Sequence, residues 1–131
     1  MTGMAFRAAF LLAVALEAQE PRRITVLYDA FGVPSDLKRD WGFAALVEYG
    51  GKRILFHTGN DAAIFERNVK ALGTDLTKLD GVFISHRHGD HTTGLGYLLE
   101  VNPGVRIFAP QEGAFFKSIP PKKKLLAPYP D

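Results

Sequence analysis

The chain has 131 residues, of which 47% are hydrophobic and 23% are charged, a balance typical of one globular domain. Its formal net charge of +2 is too small to indicate a nucleic-acid partner or an electrostatic membrane partner. Cysteine is absent, which excludes a disulfide framework and thiolate metal ligands but fits an exported protein as well as a cytosolic one.

Residues 1–18 have the pattern of a secretory signal peptide. Arg7 supplies a positive charge before the apolar run 8–16, and small residues suited to cleavage follow. Cleavage after Ala15 fits the small-residue rule better than cleavage after Ala18. The run is too short to span a bilayer comfortably, so we expect export to the periplasm or the extracellular space and no stable membrane insertion. An ordinary amphipathic helix or an uncleaved anchor is the alternative, and without cleavage the chain would stay in the cytoplasm.

Three strands are predicted after a polar linker over residues 19–23. Residues 24–28 are rich in β-branched side chains and predict the first strand. Residues 43–49 and 52–56 predict a hairpin, because Gly50-Gly51 between them is a strong two-residue turn signal. The loop over residues 29–40 has glycine, proline and serine as turn residues.

A helix is predicted from Asn60 or Asp61, either of which is a good N-cap, through Leu72. Gly73 is suited to end it in a left-handed conformation. The expected core-facing side chains are Ile64, Phe65, Val69 and Leu72. We also expect Phe31 and Trp41, which flank the preceding loop, to be buried core aromatics rather than substrate contacts.

The most informative stretch is a short apolar strand, Val82–Ile84, that stops at a cluster of ligand-type residues. Six consecutive positions contain four such residues, namely His86, His88, Asp90 and His91, which include three of the four histidines in the chain. Imidazole and carboxylate are the usual ligands of zinc and similar divalent ions. A strand that ends in such a loop holds the side chains on a rigid platform, so the sequence predicts a metal site here.

The spacing within the cluster indicates two ions. His86 and His88 are two residues apart, so in extended backbone they point to the same side and can hold one ion. Gly89 is expected to allow a sharp turn, after which Asp90 and His91 point towards a second ion. Two-metal sites of this kind stabilise hydrolytic transition states.

The His-x-His-x-Asp-His pattern after an apolar strand resembles the signature of the metallo-β-lactamase fold superfamily. Residues 40–48 and 54–59 are similar to the opening of one branch, the 7,8-dihydropterin-6-methyl-4-(β-D-ribofuranosyl)-aminobenzene-5'-phosphate synthase-like proteins. The similarity extends from about residue 24 to about residue 110. It implies an α/β fold, the N-terminal half of an αββα sandwich with a mixed sheet and flanking helices.

The resemblance also identifies one departure. Family members usually have an aspartate where this chain has His57, and that aspartate supports the metal site from behind the ligands. A neutral imidazole can keep a hydrogen bond but adds no negative charge near two dications. We therefore expect His57 to be a supporting residue, with a direct-ligand role as the less favoured alternative. We also expect the site to bind metal more weakly, or with another preference, than one that keeps the aspartate.

The remaining elements are predicted as follows. Thr92 or Thr93 caps a helix over residues 94–100, residues 105–109 form a strand, and residues 110–117 start a further helix. Residues 118–131 form a proline- and lysine-rich tail. Its lysines can attract phosphate, but a solvated loop fits the composition better.

The ligand set is expected to be incomplete in this chain. A catalytic zinc ion normally has three protein ligands and a water, and no histidine follows His91. Family members carry a further histidine, a bridging aspartate and a last histidine in a second half. Residues 24–117 are therefore expected to form a partial domain of a longer or truncated protein, whose uncovered sheet face can drive self-association.

The function expected from these observations is metal-dependent hydrolysis of a small-molecule substrate, with a water activated by two zinc ions or by manganese or iron. His86, His88, Asp90 and His91 are the expected ligands, and Asp90 is also the candidate proton acceptor. Thioesters, lactones and phosphoesters are candidate substrates. A pterin-related phosphoribosyl-type transferase, or an inactive metal-binding fragment or interaction module, remains an alternative.

Overall fold

A computed structural model describes residues 20–110, and the expected signal peptide and the tail over residues 118–131 lie outside them, as does the predicted helix beyond Pro110. The described residues form one five-stranded mixed sheet with helices, which confirms the α/β class. In chain order the elements are β1 (Arg23–Asp29), β2 (Phe43–Tyr49), β3 (Lys52–Phe56), α1 (Ala62–Ala71), β4 (Gly81–Phe83), α2 (Gly89–Thr92), α3 (Leu95–Val101) and β5 (Ile107–Phe108). Within residues 20–110, no helix combines the length and the hydropathy that crossing a bilayer requires.

The strands lie in the sheet in the order in which they occur in the chain. β1, β2 and β3 pair antiparallel, whereas β3, β4 and β5 pair parallel. The predicted hairpin is confirmed with the predicted bounds. Gly50 and Gly51 have φ values of 55° and 72°, the left-handed conformation that a tight hairpin turn requires at both central positions.

One face of the sheet packs against the helices and forms the core. Leu46, Leu55, Val82 and Ile107 are aligned across four strands by the register, and each is at most 2% exposed. The helices contribute further buried side chains to the same cluster, namely Phe65, Val69, Leu95 and Leu98. This core holds the carboxyl ends of β3 and β4 side by side.

The opposite face of the sheet is also apolar, and no helix of residues 20–110 covers it. The register aligns one row of side chains on this face, consisting of Val26, Ala45, Phe56, Phe83 and Phe108. Val26 is 43% exposed and Ile24, one pleat along β1, is 68% exposed. An antiparallel sheet commonly has one solvated face, but that face is usually polar.

α1 begins at Asp61, one of its two predicted caps. The Asp61 carboxylate accepts hydrogen bonds from the backbone N–H groups of Ala63 and Ile64 at 2.8 and 2.9 Å. The predicted core face is partly wrong, because Leu72 is 40% exposed while Asn68 is buried. The Asn68 side chain donates to the Leu27 and Lys38 carbonyls and so joins α1 to β1 and the following loop.

The segment after β4 differs from the prediction. A four-residue helix, α2, precedes α3, and neither helix has a side-chain cap. Thr92 and Thr93 were expected to cap α3, but their hydroxyls donate backwards to the His88 and Gly89 carbonyls at 3.1 and 2.8 Å. The last strand is also shorter than residues 105–109 and comprises only Ile107–Phe108.

A buried carboxylate ties the first two strands to β3 at the end of the sheet remote from the histidines. Glu48 is 6% exposed and accepts hydrogen bonds from Arg23 Nη2 at 2.7 Å and from Arg53 Nε at 3.1 Å. The hydrogen bond from Arg23 is the largest effect that lowers the pKa of Glu48, and Arg53 adds to it against the opposing effect of burial. This network is structural and lies outside the candidate site.

Candidate metal centre

The candidate site lies where two neighbouring parallel strands end at the same edge of the sheet. β3 ends at Phe56 and β4 at Phe83, and the backbone N–H of His57 donates to the Phe83 carbonyl at 3.0 Å. Ile84 is fully buried in the core, and the chain emerges from the core at Ser85. Parallel strands present the loops that follow them at one edge of the sheet. His57 therefore meets the histidine-rich loop, residues 85–91, at this edge.

Three side chains of the histidine-rich loop converge on one point. His86, Asp90 and His91 each offer one ligand atom, and these atoms all lie within 4.8 Å of one another. Three ligand atoms bound tetrahedrally to one zinc ion at about 2.0–2.2 Å would be about 3.4 Å apart, so small side-chain rotations would bring this group to coordination distance. The half-buried set of two imidazoles and one carboxylate therefore fits a divalent cation such as zinc.

His88 lies beside this group but is not one of the three. Its ring centre is 4.8 Å from that of His86, and it is exposed. His88 precedes α2 in extended backbone, with φ −62° and ψ 142°, whereas Asp90 and His91 lie inside that helix. The structure groups His86 with Asp90 and His91. This grouping does not assign ligands to individual ions, so the predicted division into a His86–His88 pair and an Asp90–His91 pair stays a prediction.

Burial keeps His91 in the form that a metal requires. Its pKa is lowered chiefly by burial, while the charge of Asp90 acts in the opposite direction. His91 Nε2 lies 3.3 Å from Asp90 Oδ2, and a neutral imidazole at that distance is not an ion-pair partner. His91 Nδ1 is buried and has no hydrogen-bond partner. Since metals bind neutral imidazole, the lowered pKa favours binding.

His57 packs directly behind the ligand group. It is 3% exposed, and its ring centre lies 4.4 Å from that of His91 and 5.6 Å from that of His86. Burial lowers the pKa of His57 to about 4, and the charges of His91 and His86 add to that effect. His57 is therefore neutral at neutral pH and adds no negative charge. Its supporting role stays a prediction, but its position is the one such a role requires.

Ser85 connects His57 to the ligand group, and the sequence analysis did not identify it. Its hydroxyl oxygen lies 3.0 Å from His57 Nε2 and 2.8 Å from His86 Nδ1. His57 Nδ1 is buried without a partner. A single serine before a histidine cluster carries no signal in the sequence, because the contact depends on how β3 and β4 pair.

The backbone of residues 57–59 is bonded to three separate segments. The N–H groups of His57, Thr58 and Gly59 donate to the carbonyls of Phe83, His91 and Phe43 at 3.0, 2.9 and 3.0 Å. These acceptors belong to β4, to α2 and to the start of β2. His57 also has a φ of +60°, a left-handed value that is rare for a side chain of this size. This tripeptide therefore fixes the histidine-rich loop to the hairpin.

Close backbone packing surrounds Asp90 at a glycine that the sequence analysis did not single out. A Cβ atom built on Gly42, whose φ is +128°, would lie 2.3 Å from the Asp90 carbonyl oxygen. Gly89 was expected to allow the sharp turn and close approach, and this expectation is wrong. A Cβ atom on Gly89 would meet only Thr93 Oγ1, at an ordinary 3.5 Å, and its φ is not positive.

A small cleft of about 150 Å³ opens beside the ligands. Its walls are formed by Asp29, Ala30, Phe31, Trp41, Gly42, Phe43, Asp90 and His91. Phe31 and Trp41 are 81% and 63% exposed and pack edge to face with ring centres 5.9 Å apart. The expectation that these two aromatics are buried in the core is wrong, because the loop between β1 and β2 carries them outwards along the cleft.

Comparisons with known proteins agree with this geometry. A family model described as a β-lactamase superfamily domain matches residues 52–114, which include the whole histidine-rich loop. The 7,8-dihydropterin-6-methyl-4-(β-D-ribofuranosyl)-aminobenzene-5'-phosphate synthase of Methanocaldococcus jannaschii is 36% identical over 85 residues, which are 63% of this chain and 29% of that protein. Ribonuclease Z of Nanoarchaeum equitans is 38% identical over 71 residues, 50% of this chain and 22% of that enzyme.

Among solved structures, a metallo-β-lactamase of Cronobacter sakazakii aligns with a TM-score of 0.45 and 27% identity, over 53% of this chain and 26% of that one. The chain thus spans less than a third of the length of the curated relatives described above. The match to the family model includes the strand and loop that hold His86, His88, Asp90 and His91. On these grounds, the chain belongs to the metallo-β-lactamase fold superfamily.

Proposed function

We propose that this chain carries metal-binding residues of a hydrolase that uses two divalent cations, with zinc as the first candidate and manganese or iron as alternatives. The observation that carries the proposal is the convergence of His86, Asp90 and His91 within 4.8 Å at the edge of the sheet. His88, whose ring centre lies 4.8 Å from that of His86, is proposed as a further ligand. Histidine and carboxylate ligands held on a strand end are suited to this chemistry.

A divalent cation held at this site would supply a water whose pKa is lowered to about 7, acidic enough to attack an electrophilic centre at neutral pH. Asp90 is the proposed acceptor of the proton from that water, because its carboxylate borders both the ligand group and the cleft. Phe31 and Trp41 would exclude water from one side of the substrate and hold its apolar part. The size of the cleft favours a small-molecule substrate such as a thioester, a lactone or a phosphoester.

The proposal is tested first by binding, since binding does not require the substrate to be known. Zinc content and stoichiometry are measured on the purified full chain, and cobalt is titrated into the metal-free protein. We expect Asp90→Asn and His91→Ala each to weaken binding at least about tenfold, as removal of a direct ligand should. Asp36→Asn, a change at an exposed carboxylate in the β1–β2 loop, is the matched control. Wild-type affinity in Asp90→Asn would remove the basis of the proposal.

The number of bound ions distinguishes the two-metal hydrolase from an inactive metal-binding chain. Two tightly held ions per chain would support the two-metal hydrolase, and turnover is then sought with substrate panels containing zinc or manganese. One weakly held ion without turnover would support the alternative, a metal-binding but inactive piece of a longer enzyme. The described residues bring together three ligand atoms, which is enough to bind one ion. The chain spans less than a third of the length of the Methanocaldococcus synthase, so either outcome is consistent with the comparison.

A second candidate is a pterin-related phosphoribosyl-type transferase. It is favoured by the match to the Methanocaldococcus synthase, which extends over 85 residues of this chain. The proposed export signal fits poorly with pterin synthesis, which takes place in the cytosol. Mass measurement of the mature N-terminus after expression with the native leader decides the location, and cleavage after Ala15 or Ala18 would favour the hydrolase.

A further inference from the structure

The hydroxyl of Ser85 lies between two imidazole rings that have different roles. It is 3.0 Å from Nε2 of His57, the buried residue behind the site, and 2.8 Å from Nδ1 of His86, a candidate ligand. Both distances are those of hydrogen bonds. His57 is held in place from all sides because it is 3% exposed and its backbone N–H is bonded to β4. The bridge is therefore built into the junction of β3 and β4.

Counting protons limits the forms in which both hydrogen bonds of the bridge can exist. A serine hydroxyl has one hydrogen to donate, and each neutral imidazole has one N–H group and one bare nitrogen. Ser85 can therefore donate to one ring only, so the two ring nitrogens that face it cannot both be bare if both hydrogen bonds are kept. In the first form His86 Nδ1–H donates to Ser85 and Ser85 donates to His57 Nε2. In the second form both donors are reversed. Both rings can also donate to Ser85, which is exposed and can give its own proton to solvent, and Nε2 of His86 is then bare as in the first form.

The two forms differ in whether His86 can bind a cation. Ser85 occupies Nδ1 of His86, so the nitrogen left for a cation is Nε2. In the first form Nε2 of His86 is bare and can bind. In the second form Nε2 carries the proton and cannot bind, while the bare nitrogen is Nδ1 of His57, which is buried without a partner.

We propose that Ser85 couples the tautomers of His57 and His86, so that His57 acts as a positioning residue that determines whether His86 presents a bare nitrogen to a cation. The proposal applies to the metal-free protein as well, because the coupling is a property of the three side chains. Its consequence for affinity rests on the proposed metal-binding function. A residue at position 57 that only accepts hydrogen bonds would hold the first form permanently, whereas a histidine permits both forms.

Nitrogen-15 NMR of the imidazole rings at pH 8 tests the coupling directly. A protonated ring nitrogen and a bare one differ in chemical shift, so each tautomer can be identified without metal. We expect Nδ1 of His86 and Nε2 of His57 never to be bare at the same time in the wild-type protein, and zinc to drive His86 to the Nδ1–H form. Ser85→Ala should abolish the correlation, Ser85→Thr should restore it, and Ser35→Ala, at an exposed loop serine, should leave it unchanged.

Zinc affinity tests the consequence through a double-mutant cycle. We expect Ser85→Ala to weaken binding about tenfold, the lower end of the usual effect of losing a residue that orients a ligand. His57→Asp should strengthen binding about tenfold when Ser85 is present. In the Ser85→Ala background the same change should have little effect, because the hydroxyl that carries the effect to His86 is missing.

The cycle distinguishes this proposal from a simple effect of charge. A new carboxylate near a cation would strengthen binding whether or not Ser85 is present, so an equal gain in both backgrounds would overturn the proposal. Identical tautomers in wild type and Ser85→Ala would overturn it as well. If no cation binds to any variant, the proposed function fails, and the spectra of the metal-free protein still decide the coupling.

Discussion

Gly42→Ala should damage the metal centre without touching a ligand side chain. The Cβ atom added at this position would lie 2.3 Å from the Asp90 carbonyl oxygen, whereas real contacts of this kind are essentially never below 3.0 Å. The two segments must therefore separate by about 0.7 Å. The amide nitrogen of Asn60 lies only 3.2 Å away on another side, so the alanine cannot simply move aside.

Two magnitudes follow for this substitution. The positive φ of +128° is a conformation that side chains rarely adopt, and such strain costs about 1–3 kcal/mol of folding free energy. A functional constellation must be held to about 0.5 Å, so a 0.7 Å displacement of the Asp90 backbone should exceed what the site tolerates. We expect zinc affinity to fall at least about tenfold, which corresponds to about 1.4 kcal/mol.

The assay compares two glycine variants by urea unfolding and by cobalt titration. Gly50→Ala is the matched control, because its φ of +55° is also left-handed but nothing lies within 4 Å of the added Cβ atom. The control should lose about 1–2 kcal/mol of stability and keep the wild-type affinity. If Gly42→Ala binds cobalt as tightly as Gly50→Ala does, the close approach to Asp90 does not hold the site and the reasoning is refuted.

Three further predictions concern the scaffold. The depressed pKa of Glu48 means that its stabilising effect is complete above its unfolded value, near 4.5, and is lost as pH falls through the folded value. Glu48→Gln should therefore lower stability by about 1–3 kcal/mol at pH 7 and flatten the acid limb of a stability–pH profile; an unchanged profile would contradict the role given to Arg23. Asp61→Ala should cost about 1 kcal/mol in urea unfolding through loss of the α1 cap, and no loss would contradict the capping. Ile24→Lys should reduce self-association through the apolar sheet face of a second copy, measured by sedimentation against concentration, and an unaltered profile would exclude that face.

Local signals were sufficient for the antiparallel part of the fold. The Gly50-Gly51 turn fixes the hairpin and its register because both positions require left-handed backbone, and the bounds of β2 and β3 follow from the flanking β-branched and aromatic residues. The cap was narrowed to Asn60 or Asp61 because short polar side chains before an apolar helical pattern commonly cap a helix, and the structure selects Asp61. These features depend on neighbours within a few residues.

The errors arise where tertiary contacts decide. Asn68 is a poor core residue by composition, but its amide satisfies carbonyl groups of two other segments and is buried for that reason. Trp41 is exposed because the preceding loop lies along the cleft, which aromatic content alone does not reveal. Gly89 precedes Asp90 and His91 and so suggested a tight turn, whereas the glycine packed against the Asp90 backbone is Gly42, which is distant in sequence.

The structure brings together three of the four residues that the sequence predicted as ligands, in an arrangement that the sequence did not predict. Clustering of His86, Asp90 and His91 within six residues indicated metal binding from the sequence, and the structure brings these three together. The contribution of Ser85 could not be seen, because its bond to His57 joins residues 28 positions apart through the parallel pairing of β3 and β4. Parallel pairing is long-range and leaves no local pattern.

The three consecutive amides at His57, Thr58 and Gly59 have a consequence for dynamics. Each is bonded to a different segment, so detaching any one of these segments breaks a hydrogen bond to the tripeptide. The three amide protons should exchange with solvent at one common, slow rate that matches opening of the whole sheet rather than fraying of a loop. A cation-binding loop would then stay ordered for as long as the native sheet does, so it would already be ordered before a cation binds.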